Sequence, residues 1–133
     1  MPVQFEISII LPATPREVYS AWMSSNKHGL MTGGKVSIKP LTGTDFSAWD
    51  GYITGVNLEL VPFKKIVQLW RTTDFEATDP DSRLEIHLEE NGNGCELRLI
   101  HSDIPDHQPD YEQGWKEHYF EPMKAYFDQL KKS

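Results

Sequence analysis

The fold is decided by a stretch near the C-terminus, where residues 111–130 read YEQGWKEHYFEPMKAYFDQL. Apolar residues recur there at intervals of three or four, which predicts one stripe of a long amphipathic helix. The stripe consists of Tyr111, Trp115, Tyr119, Met123, Tyr126, Phe127 and Leu130. Pro122 lacks a backbone donor and its ring clashes with the carbonyl of His118, which predicts a kink. Lys131 and Lys132 follow where the helix dipole favours positive charge.

Strands joined by turns supply the surface on which that helix packs. Residues 3–11 alternate apolar and polar side chains with period two, which predicts a strand with one buried face. Residues 91–94 read NGNG, a hairpin-turn signal, and the returning strand turns four side chains inward: Cys95, Leu97, Leu99 and His101. Further strands are predicted at residues 35–40, 45–49, 51–60, 66–72 and 84–88. Gly55 marks a bulge or bend, and residues 74–81 form an exposed acidic loop.

Two short helices are predicted after the first strand. Residues 14–17 read TPRE, which is a capping box with proline in the first helical position, so a helix should run from there to about Met23. A second is expected near residues 25–30, ended by Gly33 and Gly34. Strands then follow one another instead of alternating with helices. This order predicts an α+β fold in which the C-terminal helix covers a mostly antiparallel sheet, and it disfavours a doubly wound fold.

The composition bounds the class of protein. A chain of 133 residues, 38% hydrophobic and 25% charged, suits one globular domain over residues 1–133. Its net charge of −7 disfavours binding to nucleic acid or to an anionic membrane surface. Cys95 is the single cysteine, which fits a cytoplasmic location, and residues 1–6 lack the features of a signal peptide. No apolar run approaches the roughly 18–20 residues of a membrane span.

The sequence contains no catalytic or metal-binding motif. The five histidines form no close pair, and one cysteine cannot build a thiolate cluster. His107 lies among aspartates, where a solvated acidic turn is the favoured interpretation. Neither a nucleophile elbow nor the glycine spacing of a phosphate-binding loop is present. We therefore predict no catalytic residue, no metal and no cofactor. His101 is the one inward ionisable residue, and either a core histidine or an acid–base group fits its position.

Aromatic residues are the remaining clue to function. Tryptophans and a tyrosine from three separate elements are expected to converge between the sheet and the C-terminal helix. They form either ordinary core or the wall of an apolar ligand cavity. The predicted cavity residues are Trp49, Gln68, Trp70, Leu99, His101, Trp115, Tyr119 and Met123. Within that set the polar groups are the side chains of Gln68 and His101 and the hydroxyl of Tyr119.

Several stretches of the chain carry a family resemblance. They are residues 49–55 (WDGYITG), 58–62 (LELVP), 65–71 (KIVQLWR), 113–115 (QGW) and 119–120 (YF). Together they resemble the C-terminal domain of the activator of heat-shock protein 90 ATPase and its bacterial relatives, over nearly the whole chain. The resemblance implies a START-like helix-grip fold, in which a curved antiparallel sheet of about six or seven strands wraps the long C-terminal helix. Pro122 departs from the family, whose chain more often stays helical there.

The resemblance also implies three functional hypotheses. Members of the superfamily hold hydrophobic ligands between sheet and helix, so the leading hypothesis is a non-enzymatic protein that binds a small hydrophobic or aromatic ligand. The second is a protein-interaction module acting on a chaperone or another client, although 133 residues leave no room for the separate N-terminal chaperone-binding domain of the eukaryotic co-chaperone. The third is an enzyme with His101 as acid or base, although no catalytic signature is shared across the family.

Overall fold

The computed structural model describes residues 3–106 and 108–131, and its architecture is α+β around one antiparallel sheet. The strands are β1 (Val3–Leu11), β2 (Asp45–Ala48), β3 (Ile53–Val61), β4 (Lys65–Thr72), β5 (Ser82–Asn91) and β6 (Gly94–Ile104). They lie in the order β1-β6-β5-β4-β3-β2, and every neighbouring pair is antiparallel. The prediction of an antiparallel sheet of about six or seven strands is confirmed, with six strands present in the described part of the chain.

Two short helices, α1 (Pro15–Trp22) and α2 (Ser25–Thr32), follow β1 as predicted. The capping box of α1 is present. The Thr14 hydroxyl accepts a hydrogen bond from the Glu17 N–H at 3.1 Å, and the Glu17 carboxylate accepts one from the Thr14 N–H at 2.9 Å. Helix α2 ends at Gly33, whose φ of 89° lies in the left-handed region that glycine adopts readily.

The C-terminal helix has three contiguous segments: α3 (Tyr111–Trp115), a π turn (Lys116–Phe120) and α4 (Glu121–Lys131). The predicted kink at Pro122 stays a prediction; the irregularity seen in the structure is the π turn, which ends at Phe120. In that turn the N–H of Glu121 donates to the carbonyl of Lys116, five residues back. Pro122 lies two residues after the π turn, inside the continuous helix, and has no N–H to donate to the preceding turn. The chain therefore stays helical across the proline.

The extra residue of the π turn shifts the buried face of the helix. Both Tyr119 and Phe120 are buried as a result, although only Tyr119 belongs to the predicted stripe. Burial along the stripe extends to Phe127. Leu130 belongs to the predicted stripe but is 50% exposed, so the buried face ends before it. Lys132 lies outside the described residues.

The predicted strand over residues 35–40 is wrong. Among the described residues its strand pairing is one isolated bridge, between Ser37 and Ser47. The hydroxyl of Ser25 accepts from the N–H of Ile38 at 2.9 Å and donates to the Ile38 carbonyl at 3.1 Å. A side chain from α2 therefore takes the place of a neighbouring strand, which the local sequence pattern does not reveal.

The predicted strands at residues 45–49 and 51–60 are also adjusted. Strand β2 ends at Ala48 and β3 begins at Ile53, because residues 49–51 form a tight turn. The register of β3 is irregular between Asn57 and Glu59, not at the predicted Gly55. Gly55 is instead a point of close approach, since a Cβ atom there would lie 1.9 Å from the carbonyl oxygen of Leu69.

Strand register decides which side chains face the C-terminal helix. Trp70 pairs with Ser82, and Leu84 pairs with both Gln68 and His101. Paired residues share a face of the sheet, and so do residues two apart on a strand. Trp70 and His101 therefore lie side by side on the buried face, beneath the first turns of the helix.

Candidate ligand-binding site

A cavity of about 510 Å³ opens between the first turns of the C-terminal helix and the β3–β4 side of the sheet. Its wall is formed mainly by six aromatic side chains, which we call the aromatic groove: Trp49, Tyr52, Trp70, Tyr111, Trp115 and Tyr119. Four exposed polar residues lie along its margin: Asp110, Gln113, Glu117 and His118. An apolar wall with a few polar groups is the usual make-up of a small-molecule site.

Trp49 stands on a strained turn that fixes its ring at the groove. The φ angles of Trp49, Asp50 and Gly51 are 51°, 58° and 94°, in the left-handed region that residues other than glycine rarely adopt. Lys35 anchors the turn, because its N–H donates to the Asp50 carboxylate at 3.2 Å and its carbonyl accepts from the Asp50 N–H at 3.1 Å. Gly34 leaves room for the ring, since a Cβ there would lie 2.7 Å from it. Such strain is often found at functional sites.

A chain of hydrogen bonds connects the C-terminal helix to the sheet behind the groove. The indole N–H of Trp115 donates to Nδ1 of His101 at 3.0 Å, so Nδ1 carries no proton. The proton of the neutral ring is therefore on Nε2, which donates to the Ser82 hydroxyl at 2.8 Å. That hydroxyl donates to the carbonyl of Trp70 at 2.6 Å. Burial lowers the pKa of His101 to about 3, and both ring nitrogens are engaged.

A second network holds the mouth of the groove. The Tyr111 hydroxyl donates to the side-chain carbonyl of Gln108 at 2.8 Å and accepts from the Thr72 hydroxyl at 2.7 Å. The Tyr52 hydroxyl donates to the carboxylate of Asp74. Burial raises the pKa of Tyr111 and of Tyr52, so both phenols keep their protons at neutral pH. These bonds fix both tyrosine rings at the opening, where the two hydroxyls lie near each other.

Behind Tyr119 lies a further pair of rings from the short helices. Trp22 of α1 and His28 of α2 have ring centroids 4.6 Å apart, and each also contacts the Tyr119 ring. Nδ1 of His28 donates to the Trp22 carbonyl at 2.9 Å, which leaves Nε2 as an acceptor. That Nε2 and the Trp22 indole N–H are buried without a protein partner in the described part of the chain. Burial lowers the pKa of His28 to about 4.

The structure brings half of the predicted site residues together. Those that line the groove are Trp49, Trp70, Trp115 and Tyr119. His101 stands directly behind them, with its ring centroid 4.6 Å from that of Trp70. The remaining three are buried without lining the groove: Gln68, Leu99 and Met123. The amide of Gln68 is occupied, since it donates to the side-chain carbonyl of Asn57 at 2.8 Å. A contact between these three and a ligand stays a prediction.

Two of the groove residues were missed by sequence reasoning. Tyr111 belongs to the helical stripe, but its place at the very start of the helix gave no sign that it borders an opening. Tyr52 lies inside the WDGYITG motif, directly after the strained turn at Trp49. The available sign that Tyr52 belongs to the site was its position in this motif. The local sequence pattern fits an exposed strand residue equally well.

The described residues give little structural support for a metal site or for a membrane-spanning helix. Across residues 3–106 and 108–131, no three histidine, cysteine or carboxylate side chains lie close enough together to hold a metal ion. His107, considered above with its neighbouring aspartates, lies outside that range. Cys95 is buried on β6, and burial raises the pKa of its thiol to about 11. No helix in the described part of the chain is long and apolar enough to span a membrane.

The fold and the groove together define the class of protein. A six-stranded antiparallel sheet, two short helices after β1 and a long helix packed across the sheet make up a helix-grip fold of the START-like type. The family model described as "Activator of Hsp90 ATPase homolog 1-like protein" matches residues 12–128, and the chain belongs to that family. The resemblance seen in the sequence is therefore confirmed.

Relatives with names come from several organisms. "Activator of 90 kDa heat shock protein ATPase homolog" of Dictyostelium discoideum is 28% identical over 116 residues, which are 86% of this chain and 30% of the relative. The human homolog 1 is 28% identical over 117 residues, which are 86% of this chain and 34% of the relative. The chain thus spans about a third of the length of the curated relatives that it matches.

Solved structures show the same fold. An HSP90 activator from Plasmodium falciparum superposes with a TM-score of 0.83 at 22% identity, covering 92% of this chain and 94% of that one. CalU16 from Micromonospora echinospora superposes with a TM-score of 0.78 at 22% identity, covering 93% of this chain and 75% of that one. At these identities the likeness concerns the fold.

Proposed function

We propose that this protein is a non-enzymatic helix-grip domain that binds a small hydrophobic or aromatic ligand in the aromatic groove. The observation that carries the proposal is the cavity of about 510 Å³ walled by six aromatic side chains. Ligand pockets in proteins typically enclose roughly 300–1,000 Å³ and are lined by aromatic and apolar groups. A core that only stabilised the fold would be expected to fill such a space, because protein interiors are close-packed.

Gly114 supports the view that the space is meant to stay open. It lies on α3, lines the groove, and a Cβ atom there would meet no other atom within 4 Å. Glycine inside a helix destabilises it by about 0.5–1 kcal/mol relative to alanine. A residue that costs stability and leaves the groove wide is consistent with a binding role for that space.

Gly114 also provides the test. The variant Gly114→Leu places a branched side chain in the groove, and Gly114→Ala serves as the matched control with the same gain in helix propensity. Tryptophan fluorescence is titrated with a panel of lipids and small aromatics. We expect saturable quenching for the parent protein and for Gly114→Ala, and a loss of at least about tenfold in affinity for Gly114→Leu. Absence of saturable binding across the panel, or equal binding by Gly114→Leu, would contradict the proposal.

The enzymatic alternative has lost its main support. A general acid or base needs a ring nitrogen within reach of the substrate. Both nitrogens of His101 are engaged, by Trp115 and by Ser82, and the ring lies behind the wall of the groove. We therefore expect His101→Ala to lower thermal stability, because it leaves the buried Trp115 N–H unpaired. A variant that kept full stability and lost a measurable turnover would restore the enzymatic hypothesis.

Action on a chaperone is the second candidate function, and family membership favours it. The relatives in Dictyostelium and human are named as activators of heat-shock protein ATPase, and about a third of their length matches this chain. The measurement is the ATPase rate of the host's own 90 kDa chaperone with and without this protein. A rise that Gly114→Leu also produces would assign the effect to the surface and not to the groove. An unchanged rate at excess protein would count against this candidate.

A cytoplasmic location belongs with these proposals. It is supported by the single cysteine, which is buried and unpaired. Fractionation of cells that produce the tagged full chain tests it, and recovery of the protein outside the cytoplasm would overturn it.

A further inference from the structure

The charges around the aromatic groove all have one sign. Asp110 and Glu117 border it, and among the described residues that line it there is no lysine or arginine. The nearest basic side chain on the helix is Lys116, which faces the outside and pairs with Glu112 at 3.8 Å. The charge of these two carboxylates has the same sign as the net charge of −7 on the whole chain.

Two pairs of rings in the groove meet at steep angles. The ring of Trp49 makes an angle of 80° with that of Tyr119, with centroids 6.2 Å apart. The ring of Tyr111 makes an angle of 83° with that of Trp70, with centroids 5.1 Å apart. These are edge-to-face contacts between neighbouring rings, and all six rings also line the cavity itself. The face of an aromatic ring attracts cations, because its π electrons give it partial negative charge.

We propose that the ligand of the aromatic groove is an organic cation, such as an aromatic amine or a quaternary ammonium compound. This inference rests on the proposed function, since it names the charge of the ligand that the groove takes. The rings supply cation–π attraction and the apolar contact, and Asp110 and Glu117 supply charge of the opposite sign. A pocket with only apolar contacts would favour an uncharged ligand over an ammonium group. The acidic margin is therefore the feature that distinguishes this site from a plain hydrophobic pocket.

An anionic ligand is disfavoured by the same features. A fatty-acid carboxylate in the groove would face ring electrons and two carboxylates, and no described lining residue offers it a positive partner. Like charges at close range cost free energy that grows as the surroundings become less polar. The structure thus separates two broad classes of hydrophobic ligand by the sign of their charge.

Three probes of nearly the same shape test the inference: phenyltrimethylammonium, tert-butylbenzene and benzenesulfonate. They carry a positive charge, no charge and a negative charge, respectively, on a benzene ring of the same size. Affinities are measured by tryptophan fluorescence or calorimetry with the full chain in about 0.1 M salt. We expect the cation to bind about tenfold more tightly than the neutral probe, a difference within the range of a desolvated cation–π contact. The anion should bind most weakly.

Glu117→Gln tests the acidic margin, and Glu90→Gln is its matched control. Both remove one negative charge from an exposed position, but Glu90 lies eight residues along β5 from Ser82, or about 26 Å from the groove end of the sheet. That distance exceeds the Debye length of about 10 Å in 0.1 M salt. We expect Glu117→Gln to weaken binding of the cation about threefold without changing binding of the neutral probe. Glu90→Gln should change neither.

The outcomes separate this inference from the function on which it rests. If none of the three probes binds, and the wider panel also fails, the proposed function fails with it. If the neutral probe binds as tightly as the cation, or if Glu117→Gln leaves the affinity for the cation unchanged, the groove binds ligands but the inference about their charge is wrong. Tighter binding of the anion would overturn it outright.

Discussion

Mild acid should destabilise this protein by a calculable amount, because two histidines are buried as neutral rings. The pKa of His101 is lowered to about 3 and that of His28 to about 4, in each case by burial, from an ordinary value of 6.5. Between those values the unfolded chain binds a proton at each site and the folded chain does not. Stability therefore rises with pH in this window, and it is lost as the pH falls from 6.5 toward the folded values.

The size of the effect follows from the same pKa values. A pH of 5 lies about 1.5 units below the ordinary histidine pKa of 6.5. Each of the two histidines therefore binds a proton in the unfolded chain and stays neutral in the folded one. Each unit corresponds to about 1.4 kcal/mol, so each site contributes a loss of about 2 kcal/mol and the pair about 4 kcal/mol. Small domains are stable by only about 5–15 kcal/mol, so a loss of this size removes a large part of the total.

Urea unfolding at about pH 7.5 and pH 5 measures the loss. The variants His28→Gln and His101→Gln should each show about half the difference between the two pH values, whatever their stability at pH 7.5. His87 is the control, because it is partly exposed on the outer face of the sheet beside Glu85. Its replacement by glutamine should leave the difference in unfolding free energy between the two pH values nearly unchanged. A free energy of unfolding that is equal at both pH values, or imidazole pKa values above 6 by NMR, would refute the reasoning.

Three further outcomes are expected. Trp115→Phe should cost about 1–3 kcal/mol of unfolding free energy, because Nδ1 of His101 is left buried without its donor; urea unfolding measures this, and an unchanged free energy of unfolding would contradict it. Gly55→Ala should cost about 3 kcal/mol by thermal unfolding, since its Cβ meets the Leu69 carbonyl, and a neutral effect would count against the packing described. Gly114→Ala should stabilise by about 0.5–1 kcal/mol in the same assay, and a loss of stability would show the space to be occupied.

Much of the fold could be predicted because its signals are local. The stripe from Tyr111 to Phe127, the alternation in β1 and the capping box at Thr14 each depend on residues within a few positions of one another. The failures depend on distant partners. Ser25 reaches Ile38 across thirteen positions, and the turn at Trp49 is held by a segment that precedes it by some fifteen.

The candidate site was predictable in part for the same reason. The aromatic residue types led to the prediction of four groove residues: Trp49, Trp70, Trp115 and Tyr119. The sequence did not show that Leu99 and Met123 lie deeper in the core. Depth in the core depends on the distance between the helix and the sheet. Sequence alone also placed His101 inward without showing that both ring nitrogens are occupied. Whether a side-chain atom is free to bind or react depends on its neighbours in space, which local sequence patterns do not show.

The hydrogen-bond chain from Trp115 through His101 to Ser82 has a consequence for the range of ligands. Of its three bonds, the one from the Trp115 indole N–H to His101 crosses from the helix to the sheet, so the helix cannot move away without leaving a buried donor unpaired. The distance between helix and sheet is therefore fixed and does not adjust to the size of the ligand. A homologous series of ligands of growing girth should then bind progressively better up to one size and fail abruptly at the next.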